Sequence, residues 1–138
     1  RRMPGLAGRA RVKALDRRAW AGHDRDMLIY KIFRADEWRA LRAERVSQGA
    51  PVDLADGYIH FSTAEQAPET AAKHFAGQDD LMLVAVEVDR LGEALKWEVS
   101  RGGAKFPHLY RELQLEDVAW AQPLPLSGDV HDFPAGME

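Results

Sequence analysis

The chain contains no cysteine. That excludes a disulfide framework, thiolate metal ligation and a thiol nucleophile, and it leaves His, Asp and Glu as the metal-ligand candidates. Long apolar runs are missing as well. The longest, Leu81-Met82-Leu83-Val84-Ala85-Val86, is far short of the roughly 20 residues that span a bilayer. The amino end has no apolar core like that of a secretory signal. A soluble, cytoplasmic protein without a membrane partner is expected. Positive charge is scarce in the body: of a net charge of -3, Arg1 to Asp26 contributes +5 and Met27 to Glu138 contributes -8. A broad nucleic-acid surface on the globular part is excluded, because displacing phosphate counterions needs clustered Lys and Arg. No Gly-x-Ser-x-Gly elbow exists, and Gly102-Gly103 has no Walker lysine to make it a phosphate loop.

What is present suits one domain. The 138 residues, 46% hydrophobic and 30% charged, can bury roughly two-thirds of the unfolded surface without a metal or disulfide. In Arg1 to Asp26 the apolar residues Leu6, Val12, Leu15 and Trp20 keep only loose helical spacing, so residues 1–26 read as a flexible basic extension, with the functional chain beginning near Met27. Residues 27–125 read as the globular domain and 126–138, rich in Pro and Gly, as a C-terminal tail.

Within the domain, Leu28 to Phe33 is dense in β-branched and aromatic residues and predicts a central strand. Asp36 is placed to cap a helix through Trp38, Leu41 and Arg45, with Gly49 ending it and Pro51 preventing its resumption. Asp56 to Thr63 alternates as a half-buried strand, with Ile59 and Phe61 on one face and Tyr58, His60 and Ser62 on the other. Thr63 and Gln66 have capping-box spacing before a helix toward Phe75, with a separate turn ahead of Pro68 and a stop at Gly77. Leu81 to Val88 predicts a strand covered on both faces. Leu95 to Val99 alternates so that Lys96 and Glu98 leave the core face, and Val118 to Ala121 closes the fold. The order of elements predicts an α+β fold rather than regular βαβ winding.

Three polar groups emerge from these strands: His60 with Ser62, Glu98, and His108 with Tyr110. Together they supply an imidazole, a carboxylate able to face developing positive charge, and an aromatic stacking surface. That inventory suits cleavage at a sugar carbon through an oxocarbenium-like transition state. Each also has a structural role open to it, and Glu98 could pair with Lys96 or Arg101 at the surface. His60, His108 and Glu98 match a two-histidine, one-carboxylate metal set in composition, but local ligand spacing is lacking and no metal is assigned.

The motifs Asp56-Gly57-Tyr58-Ile59-His60-Phe61-Ser62-Thr63, Trp97-Glu98 and Phe106-Pro107-His108-Leu109-Tyr110, with Ile29-Tyr30-Lys31-Ile32 and Trp38, resemble the domain of unknown function 952 family over about Met27 to Pro125. That family looks structurally similar to the ADP-ribosyltransferase fold, which implies split small β-sheets with flanking helices around a nicotinamide-dinucleotide cleft. The resemblance implies that His60 and Ser62 bind NAD or a related nucleotide, that Tyr110 stacks on a base, that Glu98 stabilises the sugar cation and that His108 binds or transfers a proton. The superfamily order is His, Tyr, Glu; Glu98 precedes Tyr110 and Glu112 follows it, so both carboxylates are candidates. The implied function is ADP-ribose transfer or glycosidic cleavage. A noncatalytic ligand-binding or protein-interaction module and a metal-dependent hydrolase are the alternatives, and the position of Glu98 relative to His60 and Tyr110 discriminates the first two.

Overall fold

The computed structural model describes residues 27–135 and 137; the basic extension expected over 1–26 lies outside them. In chain order the first half runs β1 (Leu28–Arg34), α1 (Ala35–Glu44), β2 (Val46–Ser47), α2 (Pro51–Asp56), β3 (Ile59–His60) and α3 (Ala67–His74). The second half runs β4 (Leu81–Glu87), α4 (Val88–Leu91), β5 (Leu95–Val99), β6 (Lys105–Leu109), β7 (Leu113–Gln114), β8 (Val118–Leu124), β9 (Leu126–Ser127) and β10 (Val130–His131).

Two three-stranded antiparallel sheets organise the domain, in the orders β1-β4-β8 and β3-β6-β5. Because β4 lies in the middle of the first sheet, both faces of its apolar run are covered. Val84 and Val86 pack with Ile29 and Phe33 against Ile59, Phe61 and Leu109 of the second sheet. On the opposite face Leu81, Leu83 and Ala85 pack with Tyr30 and Ile32 against Ala71 of α3. Each fully buried Leu, Ile, Val or Phe contributes roughly 1.5–3 kcal/mol. These two cores therefore hold the fold, since helices of ten residues or fewer are marginal alone.

The expected central position of β1 is corrected. It is an edge of the first sheet, and its free side makes a two-bond bridge between Tyr30 and Ser62, with N···O distances of 2.7 and 2.8 Å. Its side chains are buried because the second sheet and α3 cover its two faces. The Asp56 to Thr63 strand is also shorter than expected: Asp56 closes α2, and Gly57, at φ +88°, turns the chain into the two-residue β3.

Helix α1 starts two residues earlier than an Asp36 cap requires, with Arg34 in the cap position. Its first free donor, Arg34 N–H, is taken by Glu37 Oε1 at 2.9 Å, while Asp36 sits inside the first turn and accepts from Glu37 N–H. It stops at Arg45, which is left-handed at φ 71°, rather than at Gly49, and β2 then pairs with β7. Pro51 opens the new helix α2 instead of blocking one, since a first-turn proline loses no helical hydrogen bond. The Thr63/Gln66 box forms as expected: Gln66 Oε1 accepts Thr63 N–H and Thr63 Oγ1 accepts Gln66 N–H, at 3.0 and 3.2 Å. Past Pro125, β9 and β10 form a hairpin whose His131 Nε2 lies 2.7 Å from the Gln78 carbonyl. The result is a single domain of mixed helices and small antiparallel sheets. No helix among the described residues is long and apolar enough to cross a membrane.

Candidate functional site

With Ile59, Phe61 and Leu109 turned into the core, strand alternation sends Tyr58, His60, His108 and Tyr110 to the other face of the second sheet. His60 and His108 are direct cross-strand partners, and their ring centroids lie 5.3 Å apart at 71°. Tyr58 covers both: its ring stacks on His108 at 4.2 Å and 29°, and lies 4.7 Å from His60 and 5.2 Å from Tyr110. His108 is consequently 3% exposed, while Tyr110 is 45% exposed.

Glu98 completes the cluster from β5. It stands opposite Phe106 and diagonal to His108, within reach of a long side chain. Its Oε1 is 2.8 Å from His108 Nδ1 and accepts a 2.8 Å hydrogen bond from Tyr110 OH. The bond with His108, then that from Tyr110, hold the carboxyl below its ordinary range against partial desolvation; His108 and Lys96 add attraction. Tyr110 is pushed up to about 12, first by its bond to Glu98, then by burial and by the charges of Glu98 and Tyr58. Burial, then Asp56 and Glu98, raise Tyr58. At neutral pH Glu98 is therefore a carboxylate beside two protonated phenols.

His60 is anchored from below. Asp53 is buried at the third position of α2, where Oδ2 accepts Ala50 N–H at 2.7 Å and pairs with Lys31 Nζ at 2.9 Å. Its Oδ1 accepts His60 N–H at 3.0 Å and holds His60 Nδ1 at 2.5 Å. The other ring nitrogen, Nε2, is 2.9 Å from Asp56 Oδ2, and Lys31 Nζ donates to the His60 carbonyl at 3.0 Å. Burial raises the Asp53 pKa, but the His60 ring bond, the Lys31 charge, the His60 N–H and the Lys31 hydrogen bond outweigh it and hold the group at about 2.

Gly49 makes room for this anchor. At φ +97° it has the left-handed conformation, and a Cβ there would overlap the Asp53 carboxylate and stand 2.7 Å from Asp53 Cβ. Gly49→Ala is expected to destabilise the fold by at least about 2 kcal/mol, from left-handed strain plus overlap. Thermal melts check this. An unchanged midpoint would contradict the tight approach of Gly49 to Asp53.

The structure thus brings together His60, Glu98, His108 and Tyr110. Ser62 is not among them: its hydroxyl is buried 3.0 Å from Thr70 Oγ1 of α3. Glu112 is apart too, accepting from Gln48 Nε2 at 3.1 Å. Both nitrogens of His60 and Nδ1 of His108 face carboxylates, and no group of three His, Asp or Glu among the described residues is arranged to hold a metal. Sequence reasoning missed Tyr58, Asp53, Asp56 and Lys31 as members. Two signals were available: Tyr58 shares the His60 face by alternation, and Lys31 is a lone charge inside an apolar strand, which demands a buried partner.

Comparison with known proteins places the chain in a family. A family model described as "Protein of unknown function (DUF952)" matches residues 32–121. The crystal structure of protein CC0527 from Caulobacter crescentus is 56% identical, with a TM-score of 0.74, over 76% of this chain and 93% of that one. The solution NMR structure of CC0527 is likewise 56% identical, with a TM-score of 0.69, over 75% and 90%. No curated protein matches the chain. From the extent of the model match and the identity to CC0527, the chain belongs to the DUF952 family, whose function is unknown.

Proposed function

We propose that the protein binds NAD or a related nucleotide on the aromatic face of the second sheet and transfers ADP-ribose or cleaves the glycosidic bond, on a split-sheet fold of the ADP-ribosyltransferase type. The observation that carries this reading is Glu98: a carboxylate kept ionised by His108 and Tyr110 at the border of four aromatic rings. Tyr110 and the exposed part of Tyr58 offer π-faces to a planar base. With Asp53 paired to Lys31, the carboxylates that charge the surface are Asp56 and Glu98, which suit a pyridinium better than a bare phosphate.

In the reaction the bond from ribose C1 to the nicotinamide nitrogen breaks, its electrons leave with neutral nicotinamide, and positive charge develops on the ribose. Glu98 faces that charge. An acceptor hydroxyl or amine, or water, then bonds to C1 and loses its proton to solvent. His60, whose ring nitrogens stand against Asp53 and Asp56, lends its ring to the wall of the site and offers no free nitrogen to the ribose or diphosphate. His108, buried under Tyr58, positions Glu98. Ser62, turned to Thr70, takes no part.

Calorimetric titration with NAD and with ADP-ribose tests the reading. Binding is expected, and Tyr58→Ala is expected to weaken it about 5- to 100-fold, the range for loss of one base-stacking ring. No heat from either nucleotide, with His60→Ala equally silent, would remove the proposal.

A further inference from the structure

Strand β5 ends the order β3-β6-β5, and its outer edge faces away from the sheet. The direction of its backbone groups follows from two bonds. Pro107 turns its carbonyl to β3, accepting Phe61 N–H at 3.0 Å, and has no N–H of its own, so Trp97 opposite it gains no bond from β6. Tyr110 N–H donates to the Ala94 carbonyl at 2.8 Å, so residues 94, 96 and 98 turn their backbone toward β6. By alternation, Leu95, Trp97 and Val99 turn theirs outward. Leu95 N–H returns to the Gly92 carbonyl. That leaves the Leu95 carbonyl and both groups of Trp97 and Val99 on the open edge, with no backbone partner from another segment among the described residues. Trp97 is 38% and Val99 64% exposed.

Open strand edges invite pairing and are ordinarily blunted, commonly by a lysine. Lys96 occupies that place, yet Glu98 follows it two residues later, so Leu95-Lys96-Trp97-Glu98-Val99 is self-complementary about Trp97. We propose that the protein forms a symmetric dimer in which β5 pairs antiparallel with β5 of a second copy, centred on Trp97. Lys96 then stands opposite the partner's Glu98, and Glu98 opposite the partner's Lys96. On the other face Trp97 meets the partner's Trp97, and Leu95 meets the partner's Val99. The two Trp97 residues exchange both backbone bonds, and each Val99 N–H donates to the partner's Leu95 carbonyl. The two sheets become one of six strands.

Charge also selects the register. Moving the centre one residue in either direction opposes Lys96 to the partner's Lys96 or Glu98 to the partner's Glu98, and like charges directly opposite are destabilising. The pairing places the partner's Lys96 beside Glu98, at the border of the aromatic cluster. It requires no nucleotide and stands apart from the proposed activity.

Sedimentation velocity of the full chain across a concentration series is the test, read together with amide exchange by NMR. The contact is small, so a dimer with Kd of about 10–500 µM is expected. Lys96→Glu, an exposed substitution, is expected to raise that Kd about tenfold or more by replacing two attractive cross-strand pairs with two repulsive ones. Amides of Trp97 and Val99 are expected to gain protection as concentration rises, while those of Lys96 and Glu98 are protected throughout. A chain that is monomeric across the series would overturn the proposal. So would a dimer insensitive to Lys96→Glu in which the Trp97 and Val99 amides exchange equally at every concentration.

Discussion

Asp53→Ala is expected to remove about 3–5 kcal/mol of folding stability, the usual cost of deleting one partner of a buried ion pair. That is a large share of the roughly 5–15 kcal/mol that holds a domain together. The substitution leaves Lys31 buried without its carboxylate, frees Ala50 N–H at the start of α2, and releases both the ring and the amide of His60. Adding Lys31→Met is expected to restore part of the loss, because the double variant no longer buries an uncompensated charge. Urea unfolding of the two variants measures this, and a double variant no more stable than Asp53→Ala would contradict the assigned pairing. The pH dependence has a defined sign. The Asp53 pKa is depressed, from 3.8 to about 2, so its contribution is complete above 3.8 and is lost as pH falls toward 2. The magnitude is about 2 kcal/mol. In Asp53→Asn stability should lose that share of its fall across the same window.

Under the proposed activity, Glu98→Gln is expected to lower the rate of nicotinamide release from NAD by about 100- to 1000-fold, the usual cost of removing one preorganised electrostatic group. Gln keeps an acceptor for Tyr110 and His108 and loses the charge, so the fall should appear in kcat, with nucleotide affinity nearly unchanged. Because hydrogen bonds from His108 and Tyr110 hold Glu98 below its ordinary 4.5, the acid limb of the pH–rate profile should lie below that value. Release that survives Glu98→Gln undiminished would exclude a charge-stabilising role for this carboxylate. The side chain is partly exposed at the sheet edge, so the melting temperature should change little.

Much of the framework was legible because apolar patterning is local. The run Leu81 to Val86 could be satisfied only by cover on both faces. The alternation of Leu95 to Val99 put Lys96 and Glu98 on the face opposite Leu95, but of the three apolar residues only Leu95 packs on the core, while Trp97 and Val99 are exposed at the sheet edge. The Thr63/Gln66 box was equally readable, since its bonds span three residues. Failures came where tertiary contacts override local preference. Asp36 is a good cap by type, but Glu37 reaches Arg34 N–H first. The two-residue ladders of β2 with β7 and β9 with β10 are too short to carry a period. At the site, His60, His108, Glu98 and Tyr110 were visible as polar groups on apolar strands, and register brought them together. Asp53 was not visible, because its role depends on a turn through Gly49 and on Lys31 arriving from another sheet.

The most direct measurement is a two-dimensional NMR titration of the full chain with NAD. Saturable shifts are expected at Tyr58, His60, Glu98, His108 and Tyr110, and are reduced in Tyr58→Ala. An unperturbed spectrum, or shifts confined to residues away from the outer face of the second sheet, would contradict the proposed binding.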